Sequence, residues 1–476
     1  MRFRFQLIGQ NSYMLGARIF TLAITFLITA LSSRFLSTVA GFGDLMMISA
    51  YYIFLREISV YSFKSYLVRE IVHSHDKTFS VLIHILLFCS FIILTGTGLI
   101  ALVLRSLGYS SSLIFLASAF NASLVFEVLI HNNESYFESQ KRFDILFASQ
   151  FFCGILRIAL FLLINSRYPS LKKIVVSFIL SSLVASGVHL FFLLRLAEKK
   201  AVDLTLAFAK RTISVSSIFF FSSIFYGLLN SLDIMVLSKM SGNASVGLYS
   251  PAARLNKFCF IYAFSFMSVM YPHLVSFLKK SEEEFAVFAQ KIFAVLVFSS
   301  IPLQFLFPYL AKYVVYLFFG ERYMDTIPIL KILVFCQMPF AIYFFCSRYF
   351  LSLHREKLTV VIDFLSLIVH FLTLVLFTRL FDAKGAAAAF LITNLFLVFI
   401  YLLFFNKQKV TFPYVKIISK NVFFLLVLGA YFILTYHKHL QPMADLVHVF
   451  IIMIIAGASF LAIPELSFLR RKNQGD

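Results

Sequence analysis

Tryptophan is absent from this sequence, and charge is scarce: Asp, Glu, Lys and Arg together are 13% of 476 residues, against 61% hydrophobic types. A globular domain in water carries about a quarter of its residues as charges. The shortfall excludes an ordinary soluble domain and places the chain in the membrane class. With no Trp, the 22 Tyr must supply the interfacial anchors that Trp usually shares. Cysteine is sparse as well. The five, at positions 89, 153, 259, 336 and 346, each sit in an apolar stretch without a CxxC pair, so neither a disulfide framework nor a zinc site is indicated. They read as small packing residues. His84, His131, His189 and His370 lie on apolar segments without metal-ligand spacing and read as packed or interfacial. There is no P-loop, no G-x-S-x-G and no zinc-binding His/Cys set. No catalytic residue, metal ligand or cofactor is expected.

Acidic residues are the rarer sign, 22 against 42 basic, for a net charge of +20. Helices that are apolar on every face cannot assemble the soluble basic patch that nucleic acid requires, so that partner is excluded. The excess marks loops on the cytoplasmic side instead.

Taking about 20 apolar residues as one span, the chain divides into about fourteen. Their centres fall near Ala23, Tyr52, Leu94, Phe120, Ile155, Val184, Tyr226, Tyr262, Leu296, Ala341, Ile368, Leu391, Leu426 and Ile455. At about 34 residues per span and connection there is no room for a large soluble domain. The basic start, MRFRF, superficially resembles a secretory signal, but the run that follows contains Arg18 and lacks a small-x-small cleavage site. It is read as the first helix. With that end inside, the cytoplasmic segments hold about 25 Lys and Arg and the opposite side about 11. Both termini are expected in the cytoplasm. Arg18, Arg56, Arg157, Arg254, Lys257 and Lys331 fall within spans; Arg157 and Lys331 are expected to snorkel toward helix ends.

Two segments echo each other. YFESQKR (136–142) matches YFLSLHR (349–355) at Tyr, Phe, Ser and Arg, each at the end of a fourth helix, and FLSTVAGFG (35–43) echoes VLSKMSGNASVG (236–247). Internal repeats are common in transporters. The expected organisation is an N-terminal lobe of six helices over 1–200, a cytoplasmic linker over 201–211, a second six-helix lobe over 212–408, and two further helices with a tail over 409–476.

A charge near the bilayer centre costs at least about 2.5 kcal/mol, so intramembrane cations need a wet cavity or a partner. At about 100° per residue, Asn11, Arg18, Thr21, Thr25, Thr29 and Ser32 share an arc of about 80° on the first helix. The second helix aligns Ser49, Tyr52, Arg56 and Ser59, and the seventh Ser222, Tyr226, Asn230 and Asp233. The eighth aligns Gly247, Ser250, Arg254, Lys257, Ser265 and Ser268. Four polar seams suit a shared central cavity; the alternative is that these groups neutralise one another as interhelical glue, with Asp233 an arginine partner or a cap. On the first reading Arg18, Thr25, Tyr52, Arg56, Asn230, Asp233, Arg254 and Lys257 form the substrate-binding cavity.

The stretch SLDIMVLSKMSGNASVGLYSPAARL (231–255), with Asp233, Gly247, Tyr249, Ala252, Ala253 and Arg254, resembles a pattern of the polysaccharide transporters in the multidrug/oligosaccharidyl-lipid/polysaccharide (MOP) exporter superfamily, O-antigen flippase type. LVRE (67–70), SQKRF (139–143) and KGAAAAFLITNLF (384–396) support it, and the resemblance runs over residues 1 to about 405. It implies an all-α polytopic inner-membrane protein with two pseudo-symmetric six-helix lobes around a central cavity. It also implies an undecaprenyl-pyrophosphate-linked oligosaccharide as cargo, as in lipopolysaccharide assembly, and cavity arginines on the first, second and eighth helices, where Arg18, Arg56 and Arg254 fall. The bilayer and other polysaccharide-assembly membrane proteins are the expected partners. The rival readings are a lipid II flippase, a small-molecule exporter, and, from another class, a membrane glycosyltransferase or O-antigen polymerase. Such enzymes usually need a sizeable periplasmic loop, whereas the longest outer connections here are about 20 residues.

Overall fold

A computed structural model describes residues 2–63, 67, 70–71, 78–196, 206–278 and 280–405. Within these helices the side chains of 2–15, Arg18, Leu196, 206–219, 221–222 and Ser268 are not described. The expected last two helices (409–476) and the start of the expected linker (201–205) lie outside the described residues.

The described chain is helix after helix, because in hydrocarbon a backbone must satisfy its own polar groups. In order these are α1 (Arg2–Phe35), α2 (Val39–Arg56, continued by a π turn Glu57–Tyr61), α3 (Thr78–Ser106), α4 (Ser111–Ala122), α5 (Leu124–Ser139), α6 (Phe143–Asn165), α7 (Leu171–Leu196), α8 (Leu206–Met240), α9 (Gly242–Cys259), α10 (Ile261–Leu278), α11 (Glu282–Phe319), a 3-10 turn (Glu321–Thr326) leading into α12 (Ile327–Val334), α13 (Gln337–Ser352) and α14 (Glu356–Phe405). Each expected centre from Ala23 to Leu391 falls inside a helix. Eight of the described helices are long and apolar enough to cross a membrane, nine if the bent pair Glu321–Val334 and Gln337–Ser352 is one span. The chain is a multi-pass membrane protein. All five cysteines are buried and free, at home among apolar neighbours.

Local chemistry marks the ends. Ser281 caps α11 by accepting from the Glu284 N–H at 3.1 Å, with Glu282, Glu283 and Glu284 in the first turn against the positive end of the dipole. Gly320, at φ 92°, closes the same helix. The repeat seen in the sequence has a backbone counterpart. Lys141 and His354 both take φ 56°; Arg142 N–H donates to Phe137 O at 2.9 Å, and Arg355 N–H to Phe350 O at 3.1 Å. Lys141 N–H reaches Glu138 O and His354 N–H reaches Leu351 O, both at 3.1 Å. These are two copies of one Schellman stop, in register with the YFxS pattern.

Packing divides the chain into two compact units, one running to Ser250 and one from Pro251. In the first, α2 meets α9 backbone to backbone: a Cβ on Gly43 would stand 1.7 Å from Asn243 O, and one on Gly247 2.2 Å from Val39 O. The side-chain amide of Asn243 also donates to Asp44. The two glycine-bearing echo segments therefore pack on each other. In the second unit the core is aromatic, with Tyr349 against Phe285 (5.1 Å between centroids) and Phe405 (4.7 Å), and Phe293 against Phe345 (5.3 Å).

A single turn residue, Phe260, separates α9 from α10 within one apolar stretch, Gly242–Leu278, long enough to cross a membrane.

Candidate functional site

Arg56 ends α2, and the next five residues form a π turn. In a regular helix a residue five places on lies about 140° around the axis. The wider π turn instead brings the Tyr61 ring beneath the guanidinium, 5.0 Å from Cζ to the ring centroid. The Arg56 Nε is buried without a hydrogen-bond partner among the described residues. One turn earlier Tyr52 is buried and stacks on Phe120 at 4.1 Å between centroids.

From Tyr61 the contacts continue into α5. Its ring stands edge-on to His131 at 4.8 Å, and His131 Nδ1 lies 3.0 Å from Glu134 Oε2. Glu134 Oε1 accepts from the Gln150 side-chain amide at 2.8 Å, and Gln150 Oε1 accepts from the Thr21 hydroxyl at 3.3 Å. Four residues before His131, Glu127 accepts from Arg157 Nη2 at 3.1 Å and from the Ser182 hydroxyl at 2.9 Å. Glu127, His131 and Glu134 thus project a polar stripe at i, i+4 and i+7, and it is met by α6 and α7. Both glutamates are buried. Charges so placed are stable only when paired and hydrogen-bonded, as these are. The arrangement joins α5 to α6 by an ion pair and to α7 by a hydrogen bond, and extends through Gln150 to α1.

This network corrects one expectation. Arg157 does not snorkel; its partner is Glu127. His131 packs on the Tyr61 ring, with Glu134 one turn along the same helix. The i, i+4, i+7 spacing of Glu127, His131 and Glu134 was a visible signal. Which helices would face the stripe was not.

The expected cavity residues fall as follows. The Arg18 side chain is outside the described residues. Thr25, exposed, donates to Thr21 O at 2.8 Å, and Thr29 donates to Thr25 O at the same distance, so these hydroxyls serve their own helix. Tyr52 and Arg56 come together at the end of α2, beside Tyr61. Asn230 is half-buried and donates to Tyr226 O at 2.9 Å. Asp233 is buried and accepts from the Tyr249 hydroxyl at 2.7 Å, tying α8 to α9. Arg254 and Lys257 are half-buried on α9, in the second unit. Between them, buried Asn256 accepts from the Gln337 amide at 2.6 Å. Among the described residues no cluster of His, Cys, Asp and Glu could hold a metal ion.

Comparison with known proteins gives this geometry its context. The profile of the polysaccharide biosynthesis protein family matches residues 31–328. None of the curated proteins matches the chain in sequence. Among solved structures, the lipid II flippase MurJ in an inward closed conformation is similar with a TM-score of 0.74 at 15% identity, over 98% of this chain and 99% of that one. An inward-facing multidrug resistance MATE family transporter of the MOP superfamily is similar with a TM-score of 0.64 at 17% identity, over 82% and 93%. A MOP superfamily transporter from Pyrococcus furiosus, described as having a binding pocket of reversed polarity, gives 0.59 at 16%, over 83% and 94%. A family match across most of the chain, together with a fold shared with these transporters, leads to one conclusion: the chain belongs to the polysaccharide biosynthesis protein family.

Proposed function

We propose that the chain is a flippase that moves an undecaprenyl-pyrophosphate-linked oligosaccharide, an O-antigen or capsule repeat unit, from the cytoplasmic to the periplasmic leaflet of the bacterial inner membrane. One observation carries the reading. A polysaccharide biosynthesis match over residues 31–328 coincides with a likeness to a lipid II flippase over 98% of the chain. The first points to sugar polymers and the second to a lipid-linked cargo. The likeness to MATE transporters covers less of the chain at a lower TM-score, which favours the flippase over a small-molecule exporter.

In this reading two six-helix lobes, 1–200 and 212–408 joined by the linker 201–211, alternate access to the two sides, and both termini are cytoplasmic. Arg18, Arg56 and Arg254, with Lys257, hold the pyrophosphate. Arginine binds phosphate oxygens through paired, charge-assisted hydrogen bonds, offsetting the anion's lost hydration. Thr25, Tyr52, Asn230 and Asp233 offer hydrogen-bonding groups to the sugar. The bacterial interior is electrically negative, so each anionic charge moved outward gains about 2.3 kcal/mol per 100 mV. The test is Arg254→Ala in a complementation strain, with protein level checked alongside. Loss of surface polysaccharide at unchanged level supports the assignment, and normal export defeats it.

A further inference from the structure

The outer face of α6 and α7 carries a groove of about 750 Å³, lined without a charged side chain. Phe152 of α6 and Phe191 of α7 form its rails, 58% and 56% exposed, and Val184 and Phe192 continue the wall. Gly187 is the floor: a Cβ there would meet nothing within 4 Å. Ala148 and Val188 complete the lining, and Val188 also packs toward the small buried cluster of Ile130, Cys153 and Ala185 beneath it. Among the described residues the groove is an open feature of the first unit.

Its lining on α7, Val184 to Phe192, covers about 12 Å at the helical rise of about 1.5 Å per residue. One leaflet of a hydrocarbon core about 30 Å thick is about 15 Å deep. The groove fits one acyl chain of one leaflet, and is too short for a polyprenyl chain of many isoprene units. One turn beyond it is Arg195, exposed, its guanidinium 5.8 Å from the Phe191 ring centroid. The start of α6 lies at the same end, with exposed Lys141, and with Arg142 held by Asp144 at 3.1 Å. The remaining acids nearby in sequence are Glu138 at the end of α5 and Glu198, the latter followed by Lys199 and Lys200, so the cations stay in excess. An apolar slot one leaflet deep that ends in cations matches a lipid with an anionic head.

We infer that the α6–α7 groove is a binding site for an anionic glycerophospholipid of the adjoining leaflet, one acyl chain lying over Gly187 and the phosphate at Arg195. The groove shares no lining residue with the proposed cargo cavity, and the inference does not depend on which cargo is carried.

The absence of Trp supplies the probe. Phe191→Trp gives a single fluorophore in the groove, Phe152→Trp a second reporter should the first misfold, and Phe115→Trp on α4 (68% exposed) a control elsewhere. Full-length protein is reconstituted in phosphatidylcholine vesicles containing brominated phosphatidylglycerol or brominated phosphatidylcholine of the same chains. Groove reporters should show phosphatidylglycerol binding about fivefold stronger than phosphatidylcholine, the size of one cation contact with an anionic headgroup. Arg195→Gln should erase that preference, Gly187→Leu should weaken quenching by both lipids, and Phe115→Trp should show no preference. Equal quenching by the two lipids, the same preference at Phe115→Trp, or quenching unchanged by Gly187→Leu would overturn the proposal. So would relief of quenching by one equivalent of a polyprenyl phosphate, which would make the groove a seat for the cargo tail.

Discussion

Gly43 of α2 and Asn243 of α9 touch through their backbones, so closely that a Cβ on Gly43 would stand 1.7 Å from the Asn243 carbonyl oxygen. Small residues allow this approach in a membrane, where packing, not water, drives helices together. Gly43→Ala should lower the melting temperature in detergent markedly, as overpacking costs about 1–3 kcal/mol or more when backbone must move. Gly247→Ala should do likewise, facing Val39 O at 2.2 Å. Gly187→Ala, with open space around it, should leave stability unchanged or raise it. Equal melting temperatures for all three would contradict the crossing.

The hydroxyl of Tyr249 donates to buried Asp233. Tyr249→Phe removes that donor and should cost about 1–3 kcal/mol of stability. Adding Asp233→Ala to Tyr249→Phe should cost less than the two single changes summed, because they share one contact. Strict additivity in a double-mutant cycle would separate the two residues.

Breaking the Glu127–Arg157 pair should be more severe. Glu127→Ala leaves Arg157 without its carboxylate in an apolar setting, at a cost on the order of 3 kcal/mol. Replacing both, with Glu127→Leu and Arg157→Met, should be much milder. Thermal unfolding of the three proteins decides it: a double variant worse than Glu127→Ala would argue for a role beyond charge pairing.

Much of the fold was legible because hydrocarbon imposes a single rule, that long apolar runs become helices. What interrupts those runs was not. The five-residue π turn after Arg56, the turn residue Phe260 and the sharp turn at Asp382 (φ 49°) inside α14 are short departures within stretches of uniform hydropathy. The π turn alters what a helical wheel assigns, giving Arg56 the Tyr61 ring. Partners across helices were equally hidden. The Tyr249 hydroxyl that meets Asp233 was not visible in the sequence, and Arg157 looked like a snorkelling end residue, whereas Glu127 holds it. The YFxS echo was legible; that both copies end in the same stop, with Lys141 and His354 at φ 56°, was not.

Those two stops carry their own prediction. A non-glycine residue in the left-handed region costs about 1 kcal/mol, so Lys141→Gly and His354→Gly should each stabilise the protein by up to about that amount. A β-branched residue such as Val at either position should destabilise it. Opposite responses at the two sites, read by thermal unfolding, would separate the two halves of the repeat.

The proposed direction of transport draws on the membrane potential. In reconstituted vesicles, dissipating the potential should slow flipping of the anionic cargo. A rate unchanged by the ionophore would remove the potential-driven part of the account.

The central claim is that the cargo is a lipid-linked oligosaccharide moved between leaflets. Deleting the gene and extracting lipids tests it most directly. The account predicts completed undecaprenyl-linked repeat units accumulating in the cytoplasmic leaflet. Unchanged lipids accompanied by altered drug sensitivity would contradict it and point to a small-molecule exporter.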